Sequence, residues 1–367
     1  MKNYDHEEDF HARDRKQHRK DRKYAQTSDR SKFKKTDVDR VQKKEINLDL
    51  PRGRVIAIGG EGSFVDCNKK IYLCALKGTL KKERGHAKNL VAVGDWVRFE
   101  VTDEKEGLLV DVEDRFSYLS RTDIRGTKEQ LIAVNIDQAI ISVSVVNPAL
   151  KPALVDRYLM AAERGNMLPI IAINKIDLLR ESPEEEDLYH EFLAAYEPLG
   201  YPILSLSFQT GVGIDALRSL LQNKTSVFSG QSGVGKSSLL NACFGLNLKT
   251  GGLAQKTHKG SHTTTSAELI SLPGGGYCVD TPGIRSFAIW NLQKDEILLH
   301  FKDISHFAGD CKFPDCSHTS EPGCAVIVAL EEELISPMRY NSYQSLLSDC
   351  FGGPDQRTRK KMEEPDE

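Results

Sequence analysis

Three short strings in this 367-residue chain have the residue types and spacing that hold a nucleotide. Gly230-Gln231-Ser232-Gly233-Val234-Gly235-Lys236-Ser237 fits G-x-x-x-x-G-K-[ST] at every fixed position. Glycines there let backbone N–H groups turn inward around phosphates, and a following helix adds partial positive charge. Lys236 is expected to reach the β- and γ-phosphates as a catalytic cation, and the Ser237 hydroxyl to ligate Mg²⁺, with Ser238 continuing the loop. Asn174-Lys175-Ile176-Asp177 follows the apolar run Leu168–Ile173, which reads as a buried parallel strand. A carboxylate only accepts hydrogen bonds. Asp177 can therefore take the ring N–H and amine of guanine, whereas adenine offers an acceptor where guanine offers a donor. Lys175 is expected to pack its stem along the base. Ser207-Phe208, after the strand-like Tyr201–Leu204, reads as a second base-contacting loop.

Asp280-Thr281-Pro282-Gly283 closes the strand-like Tyr277–Val279. Asp280 is expected to hold Mg²⁺ through water, and the Gly283 N–H to sense a γ-phosphate. The following Ile284 stands where Ras-type GTPases carry a water-positioning glutamine. Gly260-Ser261-His262-Thr263-Thr264-Thr265 lies where a first switch loop belongs. Thr263 or Thr264 is the candidate Mg²⁺ ligand, and His262 is the candidate for orienting water.

The order of these strings is permuted. Usually the phosphate loop comes first, DxxG second and NKxD third. Here NKxD comes first, and none follows Gly283 to restore the order. One site still results if the chain is circularly permuted, because a doubly wound sheet depends on strand neighbours rather than on chain order.

A separate cluster lies downstream. Cys311, Cys316, His318 and Cys324 offer three thiols and an imidazole among Pro- and Gly-containing turns. That donor set suits one closed tetrahedral Zn²⁺ site, although the spacing departs from paired CxxC knuckles. The alternative is a set of buried thiols, for which this stretch has little apolar core. No signal peptide pattern is visible and the other cysteines are scattered, which argues against disulfides.

The elements that must position these groups fall into blocks. Residues 1–50 hold a basic arm; its first 45 residues carry 15 Lys/Arg against 10 Asp/Glu, with few apolar side chains. Such a segment cannot form a core and is expected to be disordered. It is either a solvated tail or an arm for RNA phosphates. Residues 51–120 read as a small OB-like β-barrel. Short strands are expected at Arg54–Ile58, Ser63–Val65, Ile71–Leu76, Trp96–Val101 and Gly107–Val112. Lys69, Lys70, Lys77, Lys81, Lys82, Arg84 and Lys88 make its middle basic, which fits either a solvated face or RNA binding. Residues 128–292 alternate apolar strands with amphipathic helices: a strand at Ala139–Val146, then helices at Ala153–Arg164, Glu184–Glu197 and Ile214–Leu221. That pattern is a parallel α/β domain. Residues 293–350 become helical around the cysteines, with a mixed apolar and polar stretch at Glu331–Leu347; 351–367 read as a loose charged tail. No apolar run approaches the length of about eighteen residues that a membrane helix needs.

Together, Gly94-Asp95-Trp96-Val97, Asn174–Asp177, Gly230–Ser238, His262-Thr263-Thr264, Asp280–Gly283 and Cys311–Cys324 with Ala325-Val326 resemble the small ribosomal subunit biogenesis GTPases, the RsgA (YjeQ/EngC) family. The resemblance runs from Arg52 to Leu347. It implies a multidomain chain with an OB-like barrel, a circularly permuted P-loop GTPase domain and a helical zinc-binding domain. It further implies a bacterial cytoplasmic, monomeric GTP hydrolase that binds the small ribosomal subunit and its rRNA late in maturation. Turnover would be slow alone and stimulated by the subunit, with other maturation factors as further partners. The resemblance also favours His262 as a catalytic residue and zinc at the cysteine cluster. The long basic arm exceeds the family pattern.

Overall fold

The computed structural model describes residues 49–78, 90–122, 129–246, 267–280 and 294–351. All of these lie in one compact unit. Residues 1–48 of the basic arm, Lys81, Lys82, Arg84, Lys88 and the tail after 351 fall outside the described residues.

The amino-terminal strands are β1 (Arg52–Ile58), β2 (Ser63–Cys67), β3 (Lys70–Leu76), β4 (Trp96–Asp103) and β5 (Glu106–Val112). They pair in the order β1-β2-β3-β5-β4, and β4 returns to β1, which closes a five-stranded barrel. Alternation fills it: Val55, Val65, Cys74, Val97, Phe99, Leu109 and Val112 point inward. Asp95 is fully buried at the entry to β4. Its Oδ2 accepts from Ala92 N at 2.7 Å and from Arg115 Nη2 at 2.8 Å, and its Oδ1 accepts from Arg115 Nε at 2.7 Å.

Next come β6 (Tyr118–Thr122) and β7 (Glu129–Val134), an antiparallel pair. The sequence predicts no strand here, because apolar alternation in Tyr118-Leu119-Ser120-Arg121-Thr122 is weak.

The α/β domain then runs β8 (Gln138–Ser144), α1 (Pro152–Arg164), β9 (Leu168–Asn174), α2 (Pro183–Tyr196), β10 (Ile203–Ser205), α3 (Ile214–Leu221), β11 (Thr225–Ser229), α4 (Lys236–Phe244), β12 (Glu268–Ser271) and β13 (Tyr277–Asp280). Its strands lie in the order β10-β9-β8-β11-β13-β12, parallel from β10 to β13, with β12 antiparallel at the end. Strands β8 and β11 are buried along their full length, as a sheet covered on both faces requires. Two apolar cores lie against the sheet. One includes Tyr158, Phe192 and Ile171, and the other Leu217, Leu239 and Ile170. Ile170 and Ile171 are neighbours on β9 and so face opposite sides. The sheet does not end at β12, whose Glu268 pairs with Ala57 of β1. Barrel and α/β sheet are thus one eleven-stranded sheet among the described residues.

Helices α5 (Lys294–His300), α6 (Lys302–Ala308), α7 (Ala325–Glu331) and α8 (Pro337–Phe351) form the carboxy-terminal region. The mixed stretch at Glu331–Leu347 is divided: α7 ends at Glu331, and α8 begins at Pro337, a residue whose fixed φ suits a first helical turn. Phe301, Ile304, Val326, Ala329, Tyr343 and Leu346 pack together with Met160 of α1. Almost buried beside them, Arg339 bridges Asp156 of α1 and Asp303 of α6, and Tyr196 Oη donates to Asp156 at 2.6 Å. Burial raises the Asp156 carboxyl to about 6 against the opposing pull of Arg339.

Candidate nucleotide and metal sites

The phosphate loop leaves the carboxyl end of β11, the strand between β8 and β13. Two of its glycines are demanded by their surroundings. Gly230 has φ 137, and a Cβ there would lie 1.9 Å from the Ser142 carbonyl oxygen; Gly235 has φ 95, and a Cβ would meet Asn174 Nδ2 at 2.5 Å. Gly235 is followed at once by the first turn of α4, where Lys236 and Ser237 sit half-buried. Lys236 Nζ donates to the carbonyls of Gly230 and Gln231 at 2.7 and 2.8 Å, so the ammonium lies inside the loop's curve.

Asn174 ends β9, one strand beyond β8. Its Nδ2 donates to the Val234 carbonyl at 2.8 Å, which ties the NKID string to the phosphate loop despite their separation in the chain. Asn174 Oδ1 is buried without a hydrogen-bond partner. Lys175 follows in the left-handed region at φ 67, and this turns the chain into the short 3₁₀ helix Ile176–Glu181, whose first turn holds Asp177 half-buried. Burial lowers the Lys175 ammonium and Asp177 raises it, with a net downward shift. Ser207 is buried, and its Oγ accepts from Thr210 N at 3.2 Å. Ile176 N donates to Leu206 O at 3.2 Å, which holds the NKID turn against the Ser207–Phe208 loop. Phe208 is 37% exposed.

One contact was not anticipated. Lys175 Nζ donates to the Asn147 carbonyl, in the loop after β8, and Ser144 Oγ donates to Pro148 O at 2.7 Å. The sequence signal was an Asn-Pro dipeptide directly after an apolar strand, which marks a turn but not its neighbours.

Asp280 ends β13, and its backbone pairs with Glu268. Strand β13 is the neighbour of β11, so Asp280 leaves the sheet beside the phosphate loop. His262, Thr263, Thr264, Gly283 and Ile284 lie outside the described residues.

In the carboxy-terminal region, the ligand atoms of Cys311, Cys316, His318 and Cys324 all lie within 4.8 Å of one another. Cys311 Sγ is 3.8 Å from Cys324 Sγ and 3.4 Å from His318 Nδ1; Cys324 Sγ is 3.7 Å from His318 Nδ1. Tetrahedral bonds of about 2.3 Å to sulfur and about 2.0 Å to nitrogen place sulfurs about 3.8 Å apart and sulfur about 3.5 Å from nitrogen. The residues therefore fit a metal ion, whereas a disulfide needs sulfurs about 2.05 Å apart. The surrounding loop is braced. The Glu321 carboxylate accepts from the N–H groups of Ser317, Thr319 and Ser320 at 2.7, 3.1 and 3.1 Å, and Tyr340 Oη donates to His318 O at 2.7 Å. His318 itself has φ 61.

Residues 52–109 match the model of the RsgA N-terminal domain, and residues 112–290 match that of the RsgA GTPase. A Chlorobaculum parvum protein named small ribosomal subunit biogenesis GTPase RsgA is 42% identical over 298 residues, which cover 78% of this chain and 92% of that one. The chain belongs to the RsgA family of GTPases. A relative of the same name from Bacteroides fragilis is 38% identical over 280 residues, 75% of this chain and 89% of the other. Among solved structures, YjeQ from Thermotoga maritima superposes with a TM-score of 0.67 at 32% identity, covering 83% of this chain and 99% of that chain. YloQ, described as a circularly permuted GTPase, gives 0.63 at 28% identity, covering 88% and 99%. The permuted order NKxD, phosphate loop, DxxG thus belongs to the RsgA family fold. No described helix is long and apolar enough to cross a membrane.

Proposed function

We propose that this GTPase binds GTP with Mg²⁺, hydrolyses it to GDP and phosphate, and does so on the small ribosomal subunit late in that subunit's maturation. On the subunit, its barrel and cysteine region contact rRNA and its turnover rises. The observation that carries the reading is the Asn174–Val234 bond, which makes one site of a guanine-reading string and a phosphate cradle from distant parts of the chain. The orphaned Asn174 Oδ1 is a buried polar atom at that site with hydrogen-bonding capacity to spare.

In this reading Asp177 accepts from the guanine ring, and Ser207 and Phe208 close over the base. Phosphate oxygens take the place of the Gly230 and Gln231 carbonyls as acceptors for Lys236. Ser237, Asp280 and one of Thr263 and Thr264 hold Mg²⁺, and the Gly283 N–H meets the γ-phosphate. His262 orients water. Bound Mg²⁺ neutralises developing phosphate charge. Cys311, Cys316, His318 and Cys324 hold one structural Zn²⁺, which supplies folding energy to the loop. The relatives named for small-subunit biogenesis are bacterial, which supports a bacterial cytoplasmic protein; in this reading it works as a monomer beside other maturation factors.

Co-sedimentation with small ribosomal subunits tests the reading. More protein should pellet with a non-hydrolysable GTP analogue than with GDP, and the subunits should raise GTP turnover. Equal pelleting in both states together with unstimulated turnover would refute it, leaving at most an RNA-binding factor with an idle nucleotide site.

A further inference from the structure

Strand β13 is only four residues long, yet both of its ends are referenced to the barrel. At its carboxyl end the backbone register runs in a row from Ala57 of β1 through Glu268 of β12 to Asp280. At its amino end Tyr277 Oη donates to Asp66 Oδ2 at 2.9 Å. The Arg54 guanidinium lies 5.1 Å from the Tyr277 ring centroid and 5.0 Å from that of Trp96, and Arg54 Nη2 donates to Asn135 O at 2.7 Å.

Asp66 faces two ways. While Oδ2 takes the tyrosine, Oδ1 accepts from Lys69 N at 2.9 Å and so closes the β2–β3 turn. That turn presents Asn68, Lys69 and Lys70 to solvent, and Lys70 Nζ lies 5.0 Å from the Tyr72 ring centroid. Two adjacent exposed cations beside an aromatic face suit a nucleic-acid backbone. One carboxylate therefore joins a phosphate-seeking turn to the strand that delivers Asp280.

We propose that the Lys69–Lys70 turn is an RNA-phosphate contact whose engagement is passed through Asp66 and Tyr277 to Asp280, making Asp66 and Tyr277 positioning residues for subunit-stimulated GTP hydrolysis. This rests on the function proposed above. Strand β13 is laddered to β11 on one side and to β12 on the other, and β12 is paired with β1, so a displacement of the barrel in this packed sheet reaches β13 through that ladder and through the Tyr277–Asp66 bond. A shift of the turn against RNA thereby alters where β13 ends relative to the phosphate loop on β11.

The test uses the full-length chain and purified small ribosomal subunits. Tyr277→Phe removes only the hydroxyl. Its KM for GTP, its turnover alone and its co-sedimentation should stay within about two-fold of the unaltered protein, while turnover at saturating subunits should fall about five-fold, the scale of one lost hydrogen bond. Asp66→Asn, approaching from the barrel side, should give the same split. Adding Lys69→Ala and Lys70→Ala to Tyr277→Phe should produce no further loss of stimulation. Full stimulation of Tyr277→Phe would overturn the proposal, as would a parallel fall in its unstimulated turnover, or losses that simply multiply when the changes are combined. Absence of stimulation in the unaltered protein would instead sink the functional reading on which this one stands.

Discussion

Asp177 and Asn174 divide the work of one loop. Asn174 commits its amide N–H to Val234 of the phosphate loop, so in the proposed reading recognition of the base falls on Asp177, half-buried two residues beyond the left-handed Lys175. An ionised carboxylate accepts two hydrogen bonds from guanine, whereas an asparagine side chain accepts at one atom and donates at the other. Asp177→Asn should weaken GTP binding by about ten-fold or more, on the scale of a hydrogen bond to a charged group, and narrow the preference for GTP over ATP. Titration of both nucleotides into both proteins measures this; equal GTP and ATP affinity in the unaltered protein would remove its premise. These residues were legible in the sequence because their chemistry is local. NKID and the phosphate loop need particular side chains at fixed spacing, directly after strands that announce themselves as unbroken apolar runs. The Asn147 carbonyl beneath Lys175 was not legible, since a backbone acceptor carries no side-chain signature.

At the scale of elements, two devices hold the carboxy-terminal helices, and only one could be read beforehand. The Cys311–Cys324 loop declared itself by donor type, and its atoms are spaced for tetrahedral binding. Cys316→Ser should release zinc and loosen the helices around it while leaving nucleotide affinity nearly intact, because a structural metal supplies folding energy locally. Metal analysis of protein purified without chelator, alongside nucleotide titration, checks both parts; lack of stoichiometric zinc in the unaltered protein would refute the site. The second device is Arg339, which was hidden in a helix that reads as mixed. Its buried side carries Arg339 and Ser342 among Met338, Tyr340, Tyr343, Leu346 and Leu347, so polar residues interrupt the apolar stripe. Arg339→Met keeps the length and removes the charge, leaving Asp156 and Asp303 without their cation. Breaking such a buried pair costs about 3 kcal/mol or more, so the melting temperature should fall clearly. Asp156→Asn in the same chain should recover part of the loss, and a lone Arg339→Met protein as stable as the parent would contradict the bridge's role. The pairing of β1 with β12 was equally hidden: it joins Ala57 to Glu268 across the chain, and nothing local in either strand specifies a partner so distant.

For the whole molecule, the question is what completes the reaction when the chain meets its subunit. Ile284 stands directly after the DxxG string, where an amide would otherwise position water, and an aliphatic side chain cannot do so. The isolated protein therefore lacks an obvious orienting group, and slow turnover alone with a large rise on the subunit is the expected pattern. His262 is the polar candidate, placed between the phosphate loop and DxxG in the chain and outside the described residues. An imidazole can donate or accept near neutral pH, and docking on the subunit could bring it over the γ-phosphate. Since it need not touch the nucleotide in the free protein, His262→Ala should leave GTP affinity similar yet lower the stimulated rate about a hundred-fold, the lower range for losing a positioned acid–base group. Lys236→Ala should act differently, damaging binding and turnover together, because the ammonium sits within the phosphate cradle itself. Single-turnover hydrolysis at saturating subunits separates the two. A His262→Ala protein that cleaves GTP as fast as the parent under those conditions would exclude the histidine and assign the orienting group to the ribosome.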